Sequence, residues 1–232
     1  MKHKYTIAGV GIILIAVALI GGTMAANNAQ TSQAAEADIS VNGLKGGIEV
    51  SSEDPVFAEN SDVTATPGGD YDLSLNAVNA GGDLDYASYF KAVIYKEWND
   101  ANGEYIDPVE SEDVIEDLVR IDDTYLDETV KAGDIINGWI VGSVDEEEVV
   151  LYYTKPVAVG EATTPFIDGV RFSESLSNRY TGASYNLKYE VTAVQTVSGE
   201  AAFASSFGVY PVIDKNGNIV SVSEEKPATA TE

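Results

Sequence analysis

The stretch from Val149 to Gln195 decides the fold of this 232-residue chain. It opens with Val149-Val-Leu-Tyr-Tyr153 and closes with Tyr185-Asn-Leu-Lys-Tyr-Glu-Val-Thr-Ala-Val-Gln195, two runs rich in the β-branched and aromatic residues that favour strands. The second run alternates apolar and polar residues, which predicts a strand with one face on a core and the other in water. Pro156 and Pro165 require turns between the runs. No nucleophile motif, metal cluster or phosphate loop occurs here, so the stretch predicts a scaffold.

The rest of the chain predicts a mainly β protein. Eight to ten short strands separated by Gly and Pro turns indicate a jelly-roll-like, two-sheet antiparallel sandwich with one or two short helices. The best helix signal starts at Asp107, with Pro108 at the first helical position and Glu110 completing a capping box. The predicted helix carries an apolar stripe through Leu126 and a solvated acidic face that includes Asp117. Its predicted apolar and acidic positions are Val114, Ile115, Leu118, Val119, Tyr125 and Leu126 against Glu112, Asp113, Glu116, Asp117, Asp122 and Asp123.

Near the C-terminus, Asn216-Gly217 between apolar residues predicts a type I′ hairpin. The surrounding Asp-x-Asn-Gly-Asn also has the start of a calcium loop, but it lacks the downstream glutamate of an EF-hand. A hairpin is therefore the preferred interpretation.

The N-terminus reads as a secretory leader. Lys2, His3 and Lys4 precede a short apolar run, and small residues follow it. Residues 1–25 are predicted to be a signal peptide, with Thr23 and Ala25 at the −3 and −1 positions and the cut before Ala26. An uncleaved membrane anchor is the alternative, but the apolar run is shorter than the roughly 20 residues needed to span a bilayer.

The mature chain divides into three predicted parts. Residues 26–38 are polar and form a flexible N-terminal segment that is a candidate donor strand. Residues 39–220 form the β-sandwich domain, and residues 221–232 form a disordered polar tail.

Composition excludes several functions. The net charge of −25 argues against nucleic acid and anionic lipid as partners, because phosphate binding requires Lys and Arg. There are no cysteines, and the single histidine is His3, inside the leader. The mature chain therefore has no histidine or cysteine ligand for zinc, and we expect no metal site and no cofactor.

Several motifs resemble the TasA/camelysin family of secreted Gram-positive surface and biofilm-matrix proteins, whose leaders are cut by the SipW-type signal peptidase. The resemblance rests on Tyr152-Tyr153, Lys155-Pro156 and Gly160-Glu-Ala-Thr-Thr-Pro-Phe166, followed by a strand ending Val191-Thr-Ala-Val-Gln195. It extends over roughly residues 37–195. The leader is also similar, except that Met24 stands where the family has an aromatic residue and that the family's Phe shortly after the cut is absent. The resemblance implies a jelly roll with added helices and loops.

Six residues in alternating or apolar runs are predicted to build the core of the sandwich: Trp98, Trp139, Tyr153, Phe166, Tyr189 and Val191.

The resemblance implies a secreted structural protein, a subunit of an extracellular fibre or biofilm matrix in which the N-terminal segment adds as a strand to the next subunit. The expected partners are other copies of the chain and a signal peptidase, and the membrane is met only through the leader before cleavage. One alternative is a cell-surface binding module or adhesin, with cation dependence as an option. Another is a hydrolase, since some family members carry a metallopeptidase label, but without the zinc ligands we expect no enzyme.

We expect the secreted chain to begin at Ala26, because Thr23 and Ala25 place small residues at the two positions that signal peptidases read. N-terminal sequencing or intact-mass measurement of secreted protein tests this. A secreted or surface-bound chain that still begins at Met1 would instead be a membrane-anchored protein.

Overall fold

The computed structural model describes residues 31–36, 48–52, 67–81, 86–100, 102–107, 117–127, 129–174, 180 and 183–226. Within them the protein is mainly β, and two antiparallel sheets pack as a sandwich, as the sequence predicts. The elements in chain order are β1 Thr31–Glu36, β2 Ile48–Ser52, β3 Asp70–Asn79, β4 Ser88–Asn99, β5 Asp117–Ile121, β6 Thr124–Tyr125, β7 Ile135–Ile136, β8 Trp139–Val144, β9 Glu148–Tyr153, β10 Ile167–Phe172, β11 Ser184–Gln195, α1 Glu200–Phe207, β12 Tyr210–Ile213 and β13 Ile219–Ser223.

Two sheets form the layers of the sandwich. Sheet A has the strand order β1-β11-β4-β9-β8-β7, and sheet B has the order β2-β3-β10-β5-β6. Every pairing in them is antiparallel. A separate two-stranded sheet consists of β12 and β13.

The longest pairing joins β4 and β11 in the middle of sheet A. All twelve residues of β11 have partners on β4, from Ser184 opposite Asn99 to Gln195 opposite Ser88. Alternate residues of both strands are buried in the main core, as a strand period of two requires. This pairing fixes the register of the sheet A face that packs on sheet B.

The main core lies between the two sheets. All six residues predicted for it are buried there: Trp98, Trp139, Tyr153, Phe166, Tyr189 and Val191. Sheet B contributes the opposing layer, including Leu73, Leu75 and Phe172. Tilted and edge-on ring contacts, such as Trp139 with Tyr153 at 4.9 Å between centroids, connect these residues.

A second, smaller core covers the outer face of sheet A. Phe203 and Phe207 of α1 pack with Tyr89, Tyr152 and other buried residues of sheet A. The β12–β13 hairpin is held by two hydrogen bonds: the Tyr89 hydroxyl donates to the Gly217 carbonyl at 2.6 Å, and the Ile219 amide donates to the Thr154 carbonyl at 2.7 Å. Sheet A is therefore buried on both faces along part of its length.

The prediction of a helix starting at Asp107 is wrong for those of its residues that the structure describes. Residues 117–121 are β5 and residues 124–125 are β6, while residues 108–116 lie outside the described residues. Buried and half-buried residues alternate along β5 with a period of two. Asp122 and Asp123 adopt left-handed backbone conformations, with φ of 50° and 61°, and turn the chain tightly into β6.

Three further assignments change near the C-terminus. The helix α1, ending at Gly208 with φ of 76°, was not located by the sequence pattern. The predicted hairpin is confirmed, but its two-residue type I′ turn is wrong, because residues 214–218 form a five-residue loop. The polar tail was predicted from Ser221, yet residues 221–223 complete β13.

Replacement of Trp139 by Ala tests the main core. The ring is fully buried and its Nε1 donates to the Thr164 carbonyl at 3.1 Å, so we expect a loss of about 3–5 kcal/mol in the free energy of unfolding. Denaturant unfolding measures this loss. Ile135→Ala is the control, because that side chain is 56% exposed and its truncation should cost under about 1 kcal/mol. Equal effects of the two substitutions would contradict this account of the core.

Candidate functional site

The first candidate site is the edge of sheet A formed by β1. This strand pairs antiparallel with β11, with Thr31 opposite Ala193 and Glu36 opposite Lys188. It falls inside residues 26–38, the segment predicted as a candidate donor strand. In the isolated chain, this strand therefore completes the sheet of its own molecule.

The sequence of β1, Thr-Ser-Gln-Ala-Ala-Glu, has no large apolar residue. Register positions 31, 33 and 35 lie opposite Ala193, Val191 and Tyr189, which belong to the main core. A buried Val, Leu, Ile, Phe or Met side chain contributes roughly 1.5–3 kcal/mol, and this strand has no such residue. Its attachment to β11 therefore depends mainly on backbone hydrogen bonds.

The remainder of β11 is firmly held. Lys188 donates to the Glu97 carboxylate of β4 at 2.6 Å, on the half-exposed outer side of the sheet. Burial opposes ionisation of Glu97, but the hydrogen bonds from Lys188 and Asn99 outweigh it and lower the pKa of Glu97. The strand that receives β1 is therefore fixed on its other side by a complete ladder and a charged pair.

The second candidate site is a cluster of one cation and three carboxylates on sheet B. The Arg120 guanidinium contacts Asp70, Asp72 and Asp168 at N–O distances of 2.5–3.1 Å. The hydrogen bond with Asp72, followed by that with Asp168, raises the pKa of Arg120. The Tyr125 hydroxyl donates to the second oxygen of Asp70. The cluster ties together β3, β5, β6 and the start of β10.

Gly169 makes this cluster possible. It lies opposite Arg120 in the β10–β5 pairing, and a Cβ atom built on it would stand 2.7 Å from the guanidinium. A side chain at this position would force the arginine away from Asp168. The glycine is therefore required by close approach and not by an unusual backbone angle.

The third candidate site is the aromatic end of the sandwich. The Trp98 ring contacts the rings of Phe172, Tyr180 and Tyr185 at centroid distances of 4.9–5.2 Å. Asp117 is buried at the same end, beside the Tyr185 hydroxyl. Burial, followed by the neighbouring Asp117 carboxylate, raises the pKa of Tyr185. Burial also raises the pKa of Asp117, and contact with Lys96 and with the Tyr185 hydroxyl opposes that shift only in part. The solvated acidic face predicted for Asp117 is therefore wrong.

The site residues predicted from the sequence have different outcomes in the structure. Thr23, Ala25 and Ala26 lie outside the described residues. The six predicted core residues are all buried and form packing contacts. Sequence reasoning missed the Arg120 cluster and the partner of Asp117, because their members lie on strands far apart in the chain. The one sequence feature that bears on these two sites is the alternation along β5, which places Asp117 and Arg120 on opposite faces of the strand.

The described residues contain no group of three or more acidic, histidine or cysteine side chains arranged to hold a metal ion. In the same part of the chain, no helix has the length and hydropathy needed to cross a membrane. The Asp214 carboxylate, in the loop with a partial calcium motif, accepts hydrogen bonds from the Asn216 and Asn218 amides at 2.8 Å. The Asp214 carboxylate therefore stabilises the turn by accepting hydrogen bonds from its backbone.

The chain matches no protein-family model, no curated protein and no solved structure.

Arg120→Met tests the carboxylate cluster. We expect it to cost about 1–3 kcal/mol of unfolding free energy, because three neighbouring carboxylates lose their shared cation at a site where the arginine is only 14% exposed. Arg171→Met on the adjacent strand is the matched control. Its side chain is 44% exposed, its pair with Glu174 is 4.0 Å long and its guanidinium lies 5.7 Å from the centre of the Tyr125 ring, so its loss should stay under about 1 kcal/mol. Thermal or denaturant unfolding of both variants gives the comparison, and a neutral Arg120→Met would contradict the structural role of the cluster.

Proposed function

We propose that this protein is a secreted structural subunit that assembles into an extracellular fibre or biofilm matrix by strand donation, as the resemblance to the TasA/camelysin family implies. The observation that carries the proposal is the position of β1. It is a short strand, close to the predicted cleavage site, at the edge of a sheet whose next strand is long and firmly held.

Exchange of β1 between copies is favoured because β1 makes the same contacts with β11 of another copy as with β11 of its own chain. Residues 31–36 of one copy offer the same backbone groups to β11 of another copy as they offer in their own chain. The pairing energy is therefore nearly unchanged on exchange, and domain swapping of this kind is a low-cost route to association. A head-to-tail exchange leaves each chain with one strand given and one received, so the product grows as an open filament.

The low apolar content of β1 supports exchange because it keeps release from the parent chain cheap. Ordering a free strand costs about 1–2 kcal/mol per residue, and backbone pairing alone offsets that cost only narrowly. Release exposes the edge of β11, which then accepts a strand from either source. Assembly should therefore depend strongly on protein concentration.

A disulfide lock tests strand donation. Ala34 lies opposite Glu190 in the β1–β11 register, and cross-strand neighbours are within the Cα separation that a disulfide spans. Because the chain has no cysteine, the Ala34→Cys, Glu190→Cys variant contains the two introduced thiols and no others. Oxidised in dilute solution, it closes within one chain. We expect this locked monomer to stay monomeric at concentrations where the mature wild-type chain assembles, and to assemble once reductant is added.

The matched control places the disulfide away from β1. Val212→Cys, Ser221→Cys joins a register pair of the β12–β13 hairpin and should assemble whether oxidised or reduced. Light scattering and electron microscopy follow both variants, together with a chain lacking residues 26–36, which should not assemble. Assembly of the locked monomer at the wild-type rate would contradict strand donation. A wild-type chain that stays monomeric at high concentration, with and without calcium, would favour the binding-module alternative.

A further inference from the structure

Lys96 and Asp117 face each other inside the sandwich. Lys96 belongs to β4 in sheet A and Asp117 to β5 in sheet B, so the pair bridges the two layers. The Lys96 Nζ lies 3.4 Å from Asp117 Oδ1 and 3.4 Å from the Asp117 carbonyl oxygen. The side chains are 7% and 1% exposed. Two groups of opposite charge are thus held in contact away from water.

The surroundings of the pair are unusually poor in hydrogen-bond partners. The second carboxylate oxygen of Asp117 has no partner of normal geometry, and neither has the buried Tyr185 hydroxyl beside it. Both partners of the Lys96 ammonium that the structure gives belong to Asp117, and both contacts are long for a charged hydrogen bond. A buried ion pair is stable only when its remaining donors and acceptors are satisfied, and this pair does not meet that condition.

Burial in such a setting disfavours the charged form of the Asp117 carboxyl. Burial raises the pKa of Asp117 to about 6, although the nearby Lys96 ammonium opposes the shift. In a medium of low polarity, transfer of a proton from the ammonium to the carboxylate removes both buried charges. That transfer places an amine against a carboxylic acid at the moment of reaction, and a desolvated lysine amine is a competent nucleophile.

We propose that Lys96 and Asp117 become joined by an intramolecular isopeptide bond. The Lys96 Nζ lone pair attacks Asp117 Cγ, a C–N bond forms, and the carbonyl electron pair moves onto oxygen. A proton passes from nitrogen to the former acid hydroxyl, the C–O bond breaks, and water leaves as the carbonyl re-forms. The Tyr185 hydroxyl lies beside the carboxyl group and has no hydrogen-bond partner of normal geometry, so it is free to donate to the oxygen on which the charge develops.

The product removes the two charges and ties the layers of the sandwich together. An amide keeps one N–H donor and one carbonyl acceptor, far cheaper to bury than an ammonium and a carboxylate. The bond connects the central strand pair of sheet A to β5 of sheet B in a chain that has no cysteine for a disulfide.

The test is mass spectrometry of the purified mature chain. Formation of the bond removes one water, so we expect an intact mass about 18 Da below the value calculated from the sequence. Trypsin should no longer cut after Lys96, which leaves a looped peptide of residues 92–120 with the same deficit. Chymotrypsin acting after Trp98 and Tyr105 should then open the loop into two segments joined through Lys96 and Asp117.

Two variants and one internal pair serve as controls. Lys96→Arg keeps the charge but supplies no nucleophilic amine, and Asp117→Ala removes the acid, so both should show the full calculated mass. Lys188 and Glu97 form a closer pair, at 2.6 Å, but their side chains are 31% and 27% exposed. Against the effect of burial, the pKa of Glu97 is lowered by its hydrogen bonds from Lys188 and Asn99, which keeps that carboxyl group ionised and a poor acceptor for an amine, so no bond should form between the two side chains.

The branched fragment from the wild-type chain decides the proposal even if the variants fail to fold. A folded wild-type chain with the full calculated mass and normal cleavage after Lys96 overturns the proposal. A water loss that maps to a linear peptide, such as a cyclic imide at Asp168-Gly169, also overturns it. Tyr185→Phe should slow the appearance of the 18 Da deficit, and an unchanged rate would remove the hydroxyl from the mechanism.

Discussion

The pairing of β4 with β11 is the constraint on which the rest of the structure depends. Twelve consecutive partners leave these two strands one register, and a slip of one residue would turn their core side chains toward the opposite face. From this pair, β9 and β8 extend sheet A on one side and β1 extends it on the other. Both cores are built on the same two strands, because their inner faces pack on sheet B and their outer faces pack under α1.

The two layers of the sandwich are stabilised differently on their outer faces. Sheet A is covered by apolar side chains of α1 and the C-terminal hairpin. The exposed side of sheet B instead carries the Arg120 cluster, in which one guanidinium neutralises part of the charge of Asp70, Asp72 and Asp168. This arrangement connects strands on the outer side of sheet B without an apolar layer, in a chain whose large negative charge would otherwise drive those carboxylates apart.

Local sequence pattern was sufficient for the strands but not for their long-range neighbours. Alternation along β11 identified a half-buried strand, and the fold class followed from the number of such runs. The same kind of alternation in β5 is ambiguous in the sequence, because Leu118, Val119, Tyr125 and Leu126 also fit a helical stripe. Asp122 and Asp123, which lie between them, fit a charged helix face equally well, but aspartate tolerates a left-handed backbone and here the two residues form a turn.

The helix α1 was missed for the opposite reason. Its alanine content and the flanking Gly199 and Gly208 indicate a helix, but the apolar residues after it extend the run into a strand. No local pattern predicts the contacts of Arg120 or Asp117. Those contacts depend on which strands become neighbours, and strand order is a property of the whole chain.

The large sequence separation between β1 and β11, which pair at the edge of sheet A, affects the order in which the strands fold. Thr31 and Ala193 are separated by about 160 residues, so β1 cannot meet β11 until nearly the whole chain is available to fold. Closing so long a loop is slow compared with forming the β8–β9 hairpin. We therefore expect β1 to pair late in folding, and until it does the edge of β11 is open to a strand from the same chain or from another copy.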